Sequence, residues 1–508
     1  MQRISRGRVR RPSARADIPR GSNGCLRAFT KHPASAALIA ILAACHHGEE
    51  RPHSASRYML APARTSDACD PASALRAAVT QNVHELASAD RRRIYVEQPD
   101  AVRTARGVAL LGGPTWVWSS PTAFLDPNNP EATLGPRGLP LYAGVVLDTS
   151  GAVTTAALPA GPSRMRNARS VPDGRGGAHV VWGTPPDSAP EASTTSTLWY
   201  AHFDGEAWGQ PERVVSAPSV TNWRSSVSVA VVDGTLYVAA IVNDPSRAWY
   251  GREGVLIAAR AGEGEWSHSW IDLRGRQAFV RHIALAGLAS DELLLAIAGV
   301  VIDSDGATRG TAPDGAPQNG IVVLRSADSG STWSVPDRVT TLPPGMGDFL
   351  TAGVGAAGQV YLAWLSGPPK ETGGADYELD RVQAVVTRDG REWRHSAVLS
   401  LGTRIYSFAA AATAQGTLYI AAQTPERGAI AMAGWSGDGR RGGTHGGSWT
   451  PVFSVPTQGP SSPLTLSAVS GDSLYLTWGV AHFLRELPAA AAPSLGFLRW
   501  AECVGGTQ

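Results

Sequence analysis

Short apolar stretches of one kind recur along the chain from residue 107 onward. Each begins with Gly or Asp and continues through four to six mostly apolar residues. The clearest copies are GTLYVAA at Gly234, GQVYLAW at Gly358, GTLYIAA at Gly416 and DSLYLTW at Asp472, and weaker copies begin at Gly107, Gly177 and Asp291. Apolar runs of this length, bounded by turn residues, predict buried β-strands.

The copies are evenly spaced. The residue in the Tyr position is Leu110, His179, Tyr237, Leu294, Tyr361, Tyr419 and Tyr475, so successive copies lie 56 to 69 residues apart. A fixed period of this length is typical of repeat folds, in which each period forms one unit. Each period has room for four short strands. We therefore predict an all-β protein, a seven-bladed β-propeller with four-stranded antiparallel blades, with six blades as the alternative.

A second series follows the same period. Trp208, Trp266, Trp333, Trp393 and Trp449 each end a turn sequence and lie 56 to 67 residues apart. The sharpest of these turns reads SADSGSTW, from Ser326 to Trp333. It resembles the Asp-box, S-x-D-x-G-x-T-W, of the BNR repeat in sialidase-like β-propellers. Its Asp is expected to accept backbone N–H groups and its Gly to supply a positive φ, so we interpret the box as structural, not catalytic.

The last repeat is incomplete. After predicted strands at Ser473–Val480 and Leu495–Cys503 the chain ends without an outer strand. We expect the N-terminal part of the chain to supply it, with Arg92–Val96 as the candidate. Residues 71–88 carry apolar positions at helical spacing and predict a helix beside the propeller.

The first 45 residues differ from the rest. Residues 1–33 carry nine basic residues and one acidic residue, and an apolar stretch, Ala34–Ala44, then leads directly to Cys45. This resembles a bacterial lipoprotein signal, which implies that Cys45 is lipidated. The alternative is the start of a buried helix with a chance cysteine. We expect a signal segment over 1–45, a flexible tether over 46–66, and the propeller with its N-terminal helix and closing strand over 67–508.

Charge and cysteine usage agree with export. The full chain has a net charge of +2, but without the signal segment 36 basic and 42 acidic residues remain, a net charge of −6. A nucleic-acid partner is not expected, because phosphate binding needs a basic surface. Cys69 and Cys503 are expected to form a disulfide that ties the two ends together, with two unpaired thiols as the alternative. We predict a monomer anchored by lipid at the outer membrane or cell surface, without a cofactor or metal.

Arginines stand just before the predicted first strands of four repeats. They are Arg166, Arg224, Arg281 and Arg404. In a propeller these positions open onto one mouth of the central channel, where guanidinium groups would suit a carboxylate. We therefore expect a glycan or protein ligand to bind there. The alternative is that these arginines only satisfy loop carbonyls and acidic neighbours.

The resemblance to sialidases implies a competing function. That family holds a substrate carboxylate with three arginines and uses a Tyr nucleophile and an Asp acid/base. By resemblance the clamp would be Arg224, Arg281 and Arg404, the nucleophile Tyr406 or Tyr377, and the acid Asp126. The family's Arg-Ile-Pro motif is absent from the first repeat, where only Arg103 is near, and no Glu stands in register with the tyrosine. The sequence therefore favours a binding protein over a sialidase or another glycan-cleaving enzyme.

Metabolic labelling tests the lipid anchor. A fatty-acid analogue should label the wild type and fail to label Cys45→Ser, because acylation requires that thiol. Cys69→Ser is the matched control and should label like the wild type. Equal labelling of the wild type and Cys45→Ser would contradict the prediction.

Overall fold

A computed structural model of the chain describes residues 83–85, 93–96, 99–118, 142–148, 153–159, 166–184, 195–218, 227–243, 253–271, 277–288, 292–301, 319–334, 336–342, 350–354, 358–368, 379–395, 398–414, 416–424, 429–436, 449–450, 452–456, 461–470, 473–480 and 494–501. Several predictions lie outside the described residues: the signal segment, the tether, all three cysteines named above, Asp126, Arg224 and Tyr377.

The described residues form strands joined by turns. The first group is β1 (Val83–Glu85), β2 (Arg93–Val96), β3 (Asp100–Arg103), β4 (Gly107–Trp118), β5 (Tyr142–Asp148) and β6 (Val153–Ala157). The second is β7 (Arg166–Pro172), β8 (Ala178–Thr184), β9 (Thr195–Phe203) and β10 (Glu212–Pro218). The third is β11 (Val227–Val232), β12 (Thr235–Asn243), β13 (Glu253–Ala261) and β14 (Ser267–Ile271). The fourth is β15 (Gln277–Gly287), β16 (Leu293–Val301), β17 (Asn319–Ser326) and β18 (Asp337–Leu342).

The remaining strands continue the same sequence of groups. The fifth group is β19 (Leu350–Val354), β20 (Val360–Ser366), β21 (Arg381–Thr387), β22 (Arg394–His395) and β23 (Leu399–Ser400). The sixth is β24 (Ser407–Ala412), β25 (Thr417–Gln423), β26 (Ala429–Ser436) and β27 (Phe453–Pro456). The seventh is β28 (Ser461–Ser470), β29 (Ser473–Val480) and β30 (Ser494–Ala501).

Apart from β1, the strands of each group pair with one another in an antiparallel sheet that follows the chain order. In the first group β3 and β2 both pair with β4, at its two ends, and in the fifth β22 and β23 both pair with β21. Each of the residues in the Tyr position, from Leu110 to Tyr475, lies in the second strand of its own sheet. The predicted all-β propeller with four-stranded antiparallel blades is confirmed. In the part of the chain that is described, no helix is long and apolar enough to cross a membrane.

The second strands are the most deeply buried. Every residue of β20 and β25 is buried, because both faces of these strands pack against neighbouring sheets. Tyr361 and Trp435, for example, meet edge to face across two sheets, with ring centroids 5.8 Å apart. Burying a large apolar side chain contributes about 1.5–3 kcal/mol, so these strands account for much of the packing energy.

The first strands contact one another in succession. β3, β7, β11, β15, β19, β24 and β28 each touch the next, and β28 touches β3. Side chains on these strands donate or accept hydrogen bonds across the junctions: the Ser467 Oγ accepts from the Ala101 N–H at 2.9 Å, and the Ser228 Oγ accepts from the Leu285 N–H at 2.9 Å. The first of these bonds fixes the first sheet against the seventh, and the second fixes the third sheet against the fourth.

The seventh sheet is completed by the N-terminal part of the chain, but by a different segment from the predicted one. β1 pairs with β30, with His84 opposite Phe497. The predicted segment instead forms β2 and pairs with β4, so it extends the inner edge of the first sheet. The helix predicted over residues 71–88 is wrong at Val83–Glu85, where the chain is a strand. Pairing with the open edge of β30 satisfies backbone groups that would otherwise lack a partner, and this overrides the local helical spacing.

The antiparallel order gives the propeller two different faces. Turns from first to second strand and from third to fourth strand lie on one face, which we call the hairpin face. Connections from second to third strand, and from one sheet to the next, lie on the other face, which we call the opening face. Arg166 begins β7, Arg281 lies in the first half of β15 and Arg404 precedes β24, so these three predicted arginines belong to the opening face.

The turn from Ser326 to Trp333 lies on the hairpin face and is held by side-chain hydrogen bonds. The Asp328 carboxylate accepts from the Thr332 N–H at 2.8 Å and from the hydroxyls of Thr332 and Ser326 at 2.5 and 2.8 Å. Gly330 has φ 83° and accepts from the Trp333 ring N–H at 3.1 Å. Asp204 and Asp389 accept backbone N–H groups in the equivalent turns of two other sheets. The structural interpretation of these aspartates therefore fits their contacts.

Asp328 should make stability depend on pH. Hydrogen bonds, first those from Thr332, lower the pKa of its carboxyl to about 2. A carboxyl whose pKa is lowered by folding stabilises the protein above its ordinary pKa, near 4, and loses that contribution as the pH falls towards 2. Asp328→Ala should therefore lower the Tm at pH 6, and its Tm should approach that of the wild type near pH 2.

The matched control is Asp337→Ala, which removes an exposed carboxylate from the following strand of the same hairpin. Its Tm should stay close to the wild-type value at both pH values. A Tm difference for Asp328→Ala that stays constant between pH 6 and pH 2 would contradict the proposed role of the ionised carboxylate.

Candidate functional site

The structure places three of the predicted arginines on the opening face, in three different sheets. Arg166 is the first residue of β7, Arg281 lies in the first half of β15, and Arg404 precedes β24. Arg281 and Arg404 belong to sheets that are not neighbours, since the sheet of β19–β23 lies between them. Of the predicted site residues that are described, the structure brings together Arg404 and Tyr406.

Arg404 and Tyr406 form an exposed stacked pair. The guanidinium carbon of Arg404 lies 5.2 Å from the centroid of the Tyr406 ring, a distance typical of a cation–π contact. Tyr406 remains 51% exposed and Arg404 is also exposed. Stacking restrains the guanidinium plane while its edge N–H groups stay open to solvent. The pair can therefore present a restrained arginine fork to an anionic group.

The backbone around this pair is anchored to the last residue of β25 and to the segment just before β21. The Ile405 N–H donates to the Leu379 carbonyl at 2.6 Å, and the Tyr406 N–H donates to the Gln423 carbonyl at 3.0 Å. The Ile405 side chain is buried between the exposed pair members. Because the central residue is buried and both flanking peptides are bonded, Arg404 and Tyr406 project from a fixed segment.

Two buried polar atoms lie at the ends of second strands near this segment. Gln423 is the last residue of β25, and Ser366 is the last residue of β20 in the neighbouring sheet. Neither the Gln423 Oε1 nor the Ser366 Oγ has a hydrogen-bond partner among the described residues. Gln423 is 6% exposed. An unpaired buried polar atom costs about 1–3 kcal/mol, which a ligand or ordered water can recover. Sequence reasoning missed Gln423. The signal available was a polar residue at the repeat position that Leu365 occupies in the preceding repeat.

Bulges alter the first strands that carry the other two arginines. In β15 the pairing with β16 shifts between Val280 and His282, so Arg281 has no directly opposite residue. In β7 the pairing with β8 shifts between Arg166 and Arg169. Bulges redirect side chains and are frequent beside binding sites. The half-buried Arg281 is thereby displaced from the regular alternation of its strand.

The chemistry available at Arg404 and Tyr406 is recognition of an anion. A tyrosine nucleophile needs a carboxylate beside its hydroxyl. Among the described contacts, Tyr406 meets the Arg404 guanidinium and the Gln423 backbone, and no carboxylate. Within the described ranges there is also no group of three or more His, Cys, Asp or Glu side chains that could hold a metal ion.

No protein-family profile matches the chain, and no curated protein sequence matches it. Similar solved structures include a protein of unknown function from Dyadobacter fermentans DSM 18053, with 11% identity, a TM-score of 0.43, and coverage of 66% of this chain and 95% of that one. They also include a Trypanosoma rangeli sialidase in complex with sialic acid, with 13% identity, a TM-score of 0.39, and coverage of 70% of this chain and 56% of that one.

A third similar structure is the α-L-arabinofuranosidase Arb93A from Fusarium graminearum in complex with an iminosugar inhibitor, with 14% identity, a TM-score of 0.40, and coverage of 66% of this chain and 93% of that one. This chain spans little more than half the length of the Trypanosoma rangeli sialidase, because the match covers 56% of it. The structures most similar to this chain thus include sialidase and arabinofuranosidase propellers, and the similarity concerns the type of fold and not the substrate.

Proposed function

We propose that the protein is an exported β-propeller that binds a carboxylate-bearing ligand, a glycan or a protein, at the arginines of its opening face. The observation that carries the proposal is the Arg404 guanidinium restrained over the exposed Tyr406 ring. A planar guanidinium fork matches the two oxygens of a carboxylate, and the aromatic ring offers an apolar surface beside it. Gln423 adds a buried acceptor close to the same segment.

Arg166, Arg224 and Arg281 complete the proposed mouth. The topology supports this for the two described arginines, because Arg166 begins β7 and Arg281 lies in the first half of β15, and the first strands surround one channel. In this proposal Arg404 makes the main contact, and the others add positive charge around a ligand that enters the channel. Because the chain without the signal segment has a net charge of −6, the mouth would be a local basic site on an acidic scaffold.

The second candidate is a sialidase-like retaining glycoside hydrolase with Tyr406 as nucleophile and Asp126 as acid. The exposed position of Tyr406 beside an arginine favours it. Its weakness is the lack of a carboxylate among the described contacts of Tyr406, because a neutral tyrosine hydroxyl is a poor nucleophile without a base. Binding without chemistry is therefore the preferred proposal.

The proposal includes the site of action. Lipidation at Cys45 would hold a monomeric propeller at the outer membrane or cell surface, with residues 46–66 as a tether and Cys69–Cys503 as a disulfide. The lipobox-like approach to Cys45 and the acidic body support export. The Asp-box resemblance is part of the same proposal, supported by the hydrogen bonds of Asp328 and its equivalents.

We also propose that the propeller has seven blades and not six. The succession of contacts between first strands, which returns from β28 to β3, supports this count. The six-blade alternative requires one of the sheets to lie outside the ring. An experimental structure that showed six sheets around the central axis would decide for that alternative.

A glycan array, with a fluorogenic sialoside assay run in parallel, tests the proposed function. The wild type should bind acidic glycans and show no turnover. Arg404→Ala should lower the affinity about 10- to 100-fold, as expected for the loss of a charge-assisted hydrogen-bonded contact. Arg404→Lys should rescue only part of it, because an ammonium group lacks the planar fork.

Two variants separate the interpretations. Tyr406→Phe keeps the ring and should bind like the wild type, whereas abolished turnover in this variant would establish the hydrolase instead. Arg391→Ala removes an exposed arginine from the hairpin face and is the matched charge control, with unchanged binding expected. If Arg404→Ala and Arg391→Ala bind the array equally well, the proposed site is wrong. A protein ligand would give no signal on the glycan array. Pull-down of that ligand with the same variants should then show the same order of affinities as expected for the array.

A further inference from the structure

A continuous row of polar and aromatic side chains lies between the second and third sheets, on the hairpin face and away from the proposed mouth. Its members belong to the turn before β8, to β8, β9 and β10, and to the end of β13 with the turn after it. They are Asp173, His179, Tyr200, His202, Glu212, Arg260 and Trp266. The function proposed above uses none of them.

Two histidines at the centre of this row face each other across paired strands. His179 on β8 lies directly opposite His202 on β9. Their ring centroids are 5.3 Å apart, and the ring planes are inclined by 43°. The side chain of His202 is 40% exposed and that of His179 is half-buried. The pair is therefore reachable from solvent and rigidly spaced by the sheet.

Each histidine uses one ring nitrogen to bond a neighbour. The His202 Nε2 lies 2.9 Å from the Asp173 Oδ2, and the His179 Nδ1 lies 2.9 Å from the Tyr200 hydroxyl. Asp173 is fixed in turn by the N–H groups of Arg175 and Gly177, at 2.7 and 2.9 Å. Burial acts to raise the pKa of Asp173, but the hydrogen bonds from His202 and the backbone lower it overall.

The Tyr200 ring is held from its other side. The Arg260 guanidinium lies 5.3 Å from the Tyr200 centroid and 5.7 Å from that of Trp266, and it pairs with the Glu212 carboxylate. Burial raises the pKa of Tyr200 to about 12, so its hydroxyl keeps its proton. A neutral, immobile hydroxyl is thus available to orient the His179 ring.

We propose that His179 and His202 form a two-histidine site for a divalent transition-metal ion such as Zn²⁺, Cu²⁺ or Ni²⁺. The ligand atoms would be the Nδ1 of His202 and the Nε2 of His179, which are the ring nitrogens that the bonds to Asp173 and Tyr200 leave over. Imidazole is a preferred ligand of these ions. Water would complete the coordination.

The spacing of the rings fits one shared ion. A metal–nitrogen bond of about 2.0 Å places the metal about 3.2 Å from each ring centroid, so two imidazoles at a tetrahedral angle have centroids about 5 Å apart. The observed separation is 5.3 Å. The carboxylate behind His202 corresponds to the outer partner that metal-binding histidines commonly have, which fixes the ring and raises its basicity.

The site replaces an interaction that the repeat makes elsewhere. In the fifth sheet the residue equivalent to His179 is Tyr361, whose hydroxyl donates to the Gly416 carbonyl of the next sheet. The Nδ1 of His179 instead forms a hydrogen bond with the hydroxyl of Tyr200, in its own sheet. The substitution thus removes a tyrosine from the structural series and places a metal ligand beside His202.

Titration calorimetry of the full chain with Zn²⁺, and Cu²⁺ electron paramagnetic resonance, test the proposal. Because His46 and His47 could also bind metal, the reference protein carries His46→Ala and His47→Ala. It should bind one equivalent of Zn²⁺, and its Cu²⁺ spectrum should show coupling to two nitrogens. His179→Ala and His202→Ala should each lower the affinity at least about tenfold, and Asp173→Asn about 10- to 100-fold.

The matched control is His268→Ala, which removes an exposed histidine from the adjacent sheet and should leave binding unchanged. If His179→Ala unfolds, His202→Gln provides the same test at the more exposed ring, with far-ultraviolet circular dichroism as the folding check. Absence of Zn²⁺ and Cu²⁺ binding by the reference protein would overturn the proposal, as would affinities unchanged by substitution of either histidine.

Discussion

The packing of each sheet against the next through its buried second strand is the constraint on which the rest of the structure depends. A four-stranded sheet with two apolar faces cannot remain exposed to water, so each sheet requires a neighbour on both sides. The uninterrupted burial of β20 and β25 shows how completely this is achieved. Closing the succession through β1 and β30 then removes the edge that an incomplete last sheet would present.

This constraint assigns different tasks to the two faces. On the hairpin face, short turns are fixed by carboxylates such as Asp328, which satisfy the backbone N–H groups that tight turns leave unpaired. On the opening face, the chain crosses between sheets, and side chains such as Arg404 project from anchored segments without being needed for packing. Recognition chemistry can therefore vary on the opening face at little cost to the fold.

The second and third sheets show that the repeat can also acquire chemistry inside the junction between sheets. A position that carries tyrosine in four of the repeats carries His179 here, and Asp173, Tyr200 and Arg260 satisfy or surround the polar groups that result. Buried polar groups are tolerated when they have partners, and each of the two histidines has one. The propeller thus presents two chemically different groups of side chains, an arginine stacked on a tyrosine at a surface segment and a histidine pair within a junction.

The strands and their period could be predicted without coordinates, because apolar runs between turn residues indicate burial directly. Leu110, Tyr237 and Tyr475 could be assigned to equivalent strands without coordinates, and the Asp328 turn could be read from its residues. Only the tertiary structure decided that Val83–Glu85 closes the last sheet, that Arg404 stacks on Tyr406, and that His179 faces His202. The first of these contacts depends on the free edge of β30 and the histidine pair depends on strand register, whereas the stacked pair depends on hydrogen bonds from its backbone to other parts of the chain; no local pattern encodes them.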